Sequence, residues 1–476
     1  MGRHLPGQLE ELRAFLPDLV AEARRTVPYC SALVTSAGGL VVAKGKTEER
    51  VNPVPPRPGI RITVWDGATL HSVATDRLSD RNHLLALTRD LASRVRVTDG
   101  PVPDPGPAID RHFASACRED AGKVAAHVKQ DICTHIFEVL AGTDDRVVNA
   151  QVAYRNTREY RIFCSPGRLL SSDVSNVQLT MVTFASDGTR QVMNYGFRVG
   201  PGHEATQLDD EAARKVALEA LEHLGAGKIA PGEYRVILDP DMAGTLAHES
   251  FGHGCEMDTM MRGSARALLF IGRRVGSDLV NIRDEPGLPG LNGSIYFSDD
   301  GVVADRPVNL VEHGILQPTM MTDLYSFLMM RDRVPGLELS ANGRLEAYDH
   351  PVYVRMTNTY FEPLPRDKGG KTLEELIADT GDGILVERPT SGMEDPLGWG
   401  VQIQAMRGRE ISKGRLSGRL FYKVGLTGYV PDVLRSVDGL GSELNMESAG
   451  TCGKGHKEYV RVSTGGPYVR CRMKLG

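Results

Sequence analysis

Residues 236–258 read VILDPDMAGTLAHESFGHGCEMD, and the parsing of this run decides the architecture. The apolar VIL segment reads as a strand, and a turn leads into a helix that begins at the strand's end. A scaffold can present reactive groups at such a position. The helix carries His248, Glu249 and His253, in the pattern His-Glu-x-x-x-His. An α-helix turns about 100° per residue, so histidines four apart project within ~40° of each other and can share one metal. Five apart, they diverge by ~140°. A π-bulge adds one residue locally and restores the shared face. Gly252 lowers the steric cost of that distortion, and Gly254 offers a place for the helix to break.

Two histidines do not make a catalytic zinc site, which takes three protein ligands and one open position. Cys255 and Glu256 stand next to the motif. Cys452 lies far away in MESAGTCGKGHKEYV, inside a glycine-bracketed loop that lets backbone approach another element closely. Each residue has a plainer reading. The histidines can be satisfied helical side chains, Glu249 a helix-start carboxylate favouring the dipole, and Cys452 a small buried loop residue. With thirteen histidines in the chain, chance alone produces such a spacing from time to time.

The 476 residues are 41% hydrophobic and 25% charged, the balance of a globular protein with a sizeable core. A net charge of -5 argues against a dedicated nucleic-acid binder. No run approaches the ~18 apolar residues of a membrane span, and the charged N-terminus lacks the apolar centre of a secretory signal. Pro6 does not fit the Ser/Thr expected there if Gly2 were a myristoylation site. Seven scattered cysteines without short paired spacing point to free thiols and a cytoplasmic location.

The expected fold class is α+β, with a mixed α/β N-terminal domain over 1–228 and a β-rich C-terminal domain over 229–476. Helices are expected over Leu9–Val27, over SDRNHLLALTRDLASRV with Ser79 or Asp80 as N-cap, within Ser115–Gly142 (one long or two), and over Asp209–Gly227. Gly38-Gly39 and Asp66-Gly67 mark the turns of two hairpins, and the proline-rich Thr98–Asp110 reads as a loop. Alternating runs from Arg146 to Val199, turning at Asp187-Gly188, suggest an antiparallel meander. Beyond residue 275 the pattern is mostly β, with TLEELIADTGDG the one helical exception. RMTNT (355–359) reads as a structural strand, and the acidic SDDG (298–301) and MEDP (393–396) read as turns.

AHESFGHGCEMD, SDDG, VEHGIL (311–316), RMTNT and the C-terminal GTCGKGHKEYVRVSTGGPYVR resemble, in order and spacing, the TldD/PmbA family of intracellular metallopeptidases. The intact motif is similar to the family's catalytic, TldD-like branch. The resemblance implies one zinc per chain held by His248, His253 and Cys452, which places Cys452 ahead of Cys255, with Glu249 as the catalytic glutamate. It also implies two domains and paired subunits around an internal chamber, as a homodimer or with a companion lacking the motif.

The implied activity is zinc-dependent cleavage of short or unfolded peptides, including precursor processing. Metal-activated water attacks, with Glu249 as general base. His456 and amides around Gly453 and Gly455 are secondary candidates for oxyanion stabilisation. Peptides can bind extended against an exposed sheet edge near the site. The alternative is a non-enzymatic regulatory or chaperone-like partner subunit. Three features depart from the family pattern: His456 where glutamine is common, TSGMEDPLGWGVQIQAMRG in a usually more aromatic region, and a chain that stops at MKLG.

Overall fold

A computed structural model describes residues 6–446, 449–456 and 458–476, so Gly2 lies outside the described residues. The first part of the chain forms one eight-stranded sheet. Its spine is Leu70–Thr75, Gly59–Trp65, Tyr29–Gly45, Val147–Ser165 and Arg168–Ser186, in that spatial order. Gln191–Gly200 extends the meander antiparallel to Arg168–Ser186, and Ile109–Ala114 adds a parallel edge to the same strand.

Side chains alternate faces along a strand. The even positions Ala32, Val34, Ile62 and Ile162 pack under the helices Gly7–Ala23 and Arg81–Arg94. Val42, Val152 and Tyr154, on the same face, pack under Ala126–Ala141 and Asp210–Leu224. The odd positions Leu33 and Phe163 emerge on the opposite face and pack with Leu170 against Phe297 and Leu345 from the second half of the chain.

The caps follow side-chain chemistry. Asp80 accepts from His83 N at 2.9 Å, and Asp209 accepts from Ala212 N at 2.7 Å. The Asp66-Gly67 hairpin forms, with Gly67 at φ +105°. The hairpin expected at Gly38-Gly39 does not. Tyr29–Gly45 runs straight through, paired with Val147–Ser165 from Ala32 to Gly45. A Cβ on Gly39 would lie 2.0 Å from the Asn156 carbonyl oxygen, so glycine here serves close approach of a neighbouring strand. Within Ser115–Gly142 only Ala126–Ala141 is helical.

The second part opens with the strand Gly232–Leu238, eight residues after the helix Asp210–Leu224 ends. Five strands, Arg415–Tyr429, Gly400–Ser412, Gly383–Asp395, Gly232–Leu238 and Val469–Leu475, follow one another in space and close through the Leu426–Leu475 pairing. A second sheet contains Val308–Glu312, Ile282–Asp284, Asn358–Phe361, Glu458–Gly465 and Gly450–Lys454. The helix Pro240–Ala247 packs against strands of both sheets, and its apolar side chains Met242, Leu246 and Ala247 enter the largest core.

TLEELIADTGDG is helical over Leu373–Thr380, started by a Thr372/Glu375 capping box. It is not the only helix beyond residue 275, because Leu324–Met330 and Val430–Arg435 are also helical. Each spans about two turns, too short for apolar periodicity to declare itself. SDDG does turn, with Gly301 at φ +81°, but its carboxylates are structural. Asp299 pairs with Arg161 of the N-terminal sheet and accepts from Leu345 N at 2.7 Å, while Asp300 accepts from Leu324 N at 2.9 Å.

Gly39→Ala is expected to lower stability by about 1–3 kcal/mol, the usual penalty for overpacking, with no loss at exposed Gly188, whose added Cβ meets nothing within 4 Å, beyond the strain of its φ of +90°. Urea denaturation followed by circular dichroism checks the ranking.

Candidate metal centre

Asp239 caps the motif helix, accepting from Met242 N at 2.8 Å, and Pro240 occupies the first turn. Its second oxygen accepts from Arg388 N at 3.0 Å, tying the helix start to the neighbouring strand. After Ala247 the helix widens. His248–Gly252 is a π turn, and the His253 N–H donates to the His248 carbonyl five residues back. One 3₁₀ turn, His253–Cys255, follows before the chain becomes extended at Glu256 (φ -77°, ψ 114°).

The extra residue does what the spacing required. The two imidazoles come to 5.0 Å between centroids, with planes at 87°. Gly252 contributes differently from expectation. Its φ is -61°, open to any residue, but a Cβ there would lie 2.1 Å from Met356 Sδ. At Gly244 a Cβ would lie 2.1 Å from Gly465 N. Gly244 lets the helix settle onto the second sheet, and Gly252 leaves room for the Met356 side chain.

That sheet delivers Cys452 from the strand Gly450–Lys454, where it stands opposite Val460. Its Sγ lies 3.3 Å from His253 Nε2, and donor atoms of His248, His253 and Cys452 all fall within 4.8 Å of one another. RMTNT positions this strand. Fully buried Arg355 donates to the carbonyls of Cys452 and Glu458. Thr357 and Thr359 donate through their hydroxyls to buried Asp284, at 2.6 and 2.8 Å.

The neighbouring candidates take other places. Cys255 points into the apolar core with Phe251 and Met260, where burial pushes its thiol pKa well up. Glu256 accepts from the far side of the His253 ring, at 3.2 Å from Nδ1, and from Lys454 Nζ at 2.8 Å. Lys454 also donates to Asp258, at 2.7 Å. Burial alone would raise the Glu256 carboxyl, but Lys454 and His253 hold it down to about 2. His456 sits exposed in the hairpin turn after Gly455.

The donor set fits a zinc ion. Two imidazoles and one thiol are ligands zinc favours, and His248 Nδ1 is buried without a hydrogen bond. Burial opposes a thiolate at Cys452, yet His253 and His248 overcome it and hold the thiol well below its ordinary range. A divalent cation takes over that stabilisation when ligand protons are displaced.

Glu249, on the same turn, has its carboxyl raised to about 7, chiefly by burial and next by a hydrogen bond with Glu394. Glu394 is the residue that sequence reasoning missed. MEDP is not a simple turn, because Met393, Glu394 and Asp395 end the strand Gly383–Asp395. Glu249, Glu394 and a ring nitrogen of His253 also lie within 4.8 Å of one another. Only the segment's departure from the family pattern drew attention to it.

Residues 231–475 match the family described as the PmbA/TldA metallopeptidase C-terminal domain. A metalloprotease of Methanothermobacter thermautotrophicus is 29% identical over 426 residues, 88% of each chain. The zinc metalloprotease TldD homolog of Saccharolobus solfataricus is 30% identical over 329 residues, covering 67% of this chain and 68% of its own. The crystal structure of TldE from Thermococcus kodakarensis superposes with a TM-score of 0.72 at 13% identity, over 97% of this chain and 99% of its own, which shows a shared fold.

Zinc added to metal-free protein is expected to raise the melting temperature. Cys452→Ser should abolish most of that shift, while Cys255→Ser keeps it. Thermal denaturation with and without zinc distinguishes the two thiols, and the reverse pattern would place the third donor beside the helix.

Proposed function

The chain belongs to the TldD/PmbA family, and on that premise we propose that it is a zinc-dependent metallopeptidase of the catalytic, TldD-like kind. The observation that carries this reading is the convergence of His248, His253 and Cys452 beside the Glu249 carboxylate. A non-enzymatic partner subunit would have no use for a buried carboxyl beside three such donors. His248, His253 and Cys452 would hold the zinc. When bound, it supplies a nucleophile from water near neutral pH and polarises the substrate carbonyl.

The chain's own residues do the rest. Glu249 accepts the water's proton and passes it to the leaving amine. A carboxyl pKa near 7 suits both halves of that exchange. Glu256 accepts from His253 Nδ1 and fixes the ring so that Nε2 faces Cys452, the kind of outer support that orients a metal-binding histidine. Lys454 in turn holds Glu256.

The substrate reading is short or unfolded peptides bound extended. Gly383–Asp395 pairs with Gly400–Ser412 along its length, whereas its partner on the other side, Gly232–Leu238, is registered only with Ile384–Val386. Arg388 N is tied to Asp239 and the Pro389 carbonyl to Tyr195, so the open edge lies beyond Pro389, and Gly392 on it abuts Glu249. Edge pairing through main-chain hydrogen bonds tolerates varied sequences. The same reading includes a dimer, with a second copy or with a companion lacking the motif, and a cytoplasmic setting. All seven cysteines are free thiols, and no helix among the described residues is long and apolar enough to cross a membrane.

Glu249→Gln should retain zinc but lower cleavage of an unfolded protein by about 10²–10⁴-fold, the usual worth of a general base. Chelation should abolish cleavage and zinc restore it. Metal analysis with a gel-based digestion assay checks both, and undiminished cleavage by the variant or by metal-free protein would refute the proposal.

A further inference from the structure

We propose that a cavity on the reverse face of the Cys452 hairpin binds a carboxylate with an apolar tail, as a free apolar amino acid or a peptide C-terminus carries, with Arg344 and Arg461 at its charged end. The site stands whether or not the metal centre is a peptidase. Antiparallel partners share a face of the sheet, and neighbours along a strand alternate. Cys452 is paired with Val460, Thr451 with Arg461 and Gly453 with Tyr459. Arg461 and Tyr459 therefore leave the hairpin on the side away from the metal centre.

Arg161, Arg344 and Arg461 line a cavity of about 100 Å³ there, at the seam with the N-terminal sheet. Its carboxylates are already engaged. Glu159 accepts from Arg161 and, at 3.1 Å, from Arg461. Glu346 accepts from Tyr459 N at 2.9 Å and faces His350 Nδ1 at 3.7 Å. Asp299 pairs with Arg161 and accepts from Leu345 N. Arg344 is left over. It is 7% exposed, and among the described residues its guanidinium makes one hydrogen bond, to the Met356 carbonyl at 2.7 Å, and pairs with no carboxylate. A guanidinium has five donors in a fixed fork, so most of this one's are unspent. Burial first, then Arg355 and Arg161, push its pKa down to about 9 against the pull of Asp299. An anion in the cavity supplies the missing countercharge, and a planar carboxylate matches the fork with two parallel hydrogen bonds.

The neighbouring chamber decides what else the anion carries. A space of about 280 Å³ adjoins the first and shares Val174, Ser294, Ile295, Tyr296 and Arg461 with it. Pro201, Leu288, Pro289 and Leu291 extend its apolar wall. A bare phosphate would leave this chamber unused. A carboxylate with a short aliphatic tail fills both spaces, its charge at the arginines and its tail among Leu288, Leu291 and Ile295. The wall is fixed in place before any ligand arrives. Asn292 donates to the carbonyls of Gly450 and Val462, at 2.9 and 3.0 Å, and the Tyr296 hydroxyl donates to the Ala114 carbonyl at 2.7 Å. Such a pre-formed apolar pocket with a few convergent polar groups is the usual form of a small-molecule site.

The test is calorimetric titration of the zinc-loaded protein with isocaproate, its uncharged amide and inorganic phosphate. Isocaproate should bind once per chain, and the amide and phosphate at least about 10-fold more weakly. Arg344→Gln and Arg461→Gln should each weaken isocaproate by about 10- to 100-fold, the worth of a hydrogen bond to a charged group, with zinc content and circular dichroism unchanged. Arg461→Gln decides alone if Arg344→Gln does not fold. Chelation of the zinc should leave isocaproate binding intact. No binding, equal binding of the amide, full affinity in the folded arginine variants, or loss of binding on chelation, which would put the carboxylate on the metal, would each overturn the assignment. Phosphate binding as tightly as isocaproate would overturn the part given to the apolar chamber. Leucine and acetyl-leucine, titrated in turn, distinguish a free amino acid from a peptide C-terminus as the source, and rejection of both would overturn the proposal.

Discussion

The approach of Cys452 Sγ to His253 Nε2, 3.3 Å apart across 199 residues of chain, is the constraint that the second half of the molecule is organised to meet. It needs a helix lying almost against a strand. Gly244 removes the side chain that would meet the strand backbone at Gly465, and Gly252 the one that would meet Met356. It needs the strand's backbone held from behind, which Arg355 does through the Cys452 carbonyl. It also needs the two imidazoles on one side of a helix whose ordinary pitch would separate them, and the π turn supplies this.

The charges around that contact form a connected set rather than isolated pairs. His253 meets Glu256, Glu256 meets Lys454, and Lys454 also meets Asp258. Each would be costly to bury alone, because desolvation of one ion exceeds what a single partner returns. Linked together, they satisfy one another and fix which face of the His253 ring is presented. Asp284 does similar work one layer away, accepting from Thr357, Thr359 and Asn342, and so holds RMTNT in the register that aims Arg355.

The N-terminal sheet is coupled to this assembly by packing and charge. Its odd-numbered face places Leu33 and Phe163 against Phe297 and Leu345, while Arg161 reaches Asp299. The acidic turn thus closes the seam between the two parts of the chain and, through Asp300 at Leu324 N, holds the first turn of the helix Leu324–Met330, which Asp323 caps.

What the sequence determined by itself was local and chemical. Residue types and spacing identified the two histidines, the glutamate and the need for a distorted turn, because helical pitch is a property of the backbone alone. Capping chemistry narrowed one N-terminus to Ser79 or Asp80, of which the structure uses Asp80, and alternation placed the meander. Resemblance pointed to Cys452; spacing left it level with Cys255 and Glu256. Only the tertiary structure decided that Cys255 faces the core, that Glu256 supports the histidine from behind, that Gly38-Gly39 continue a strand, and that Glu394 reaches Glu249. Each of these depends on a neighbour distant in the chain. A residue's own type and its sequence neighbours carry no record of which distant atom it will meet.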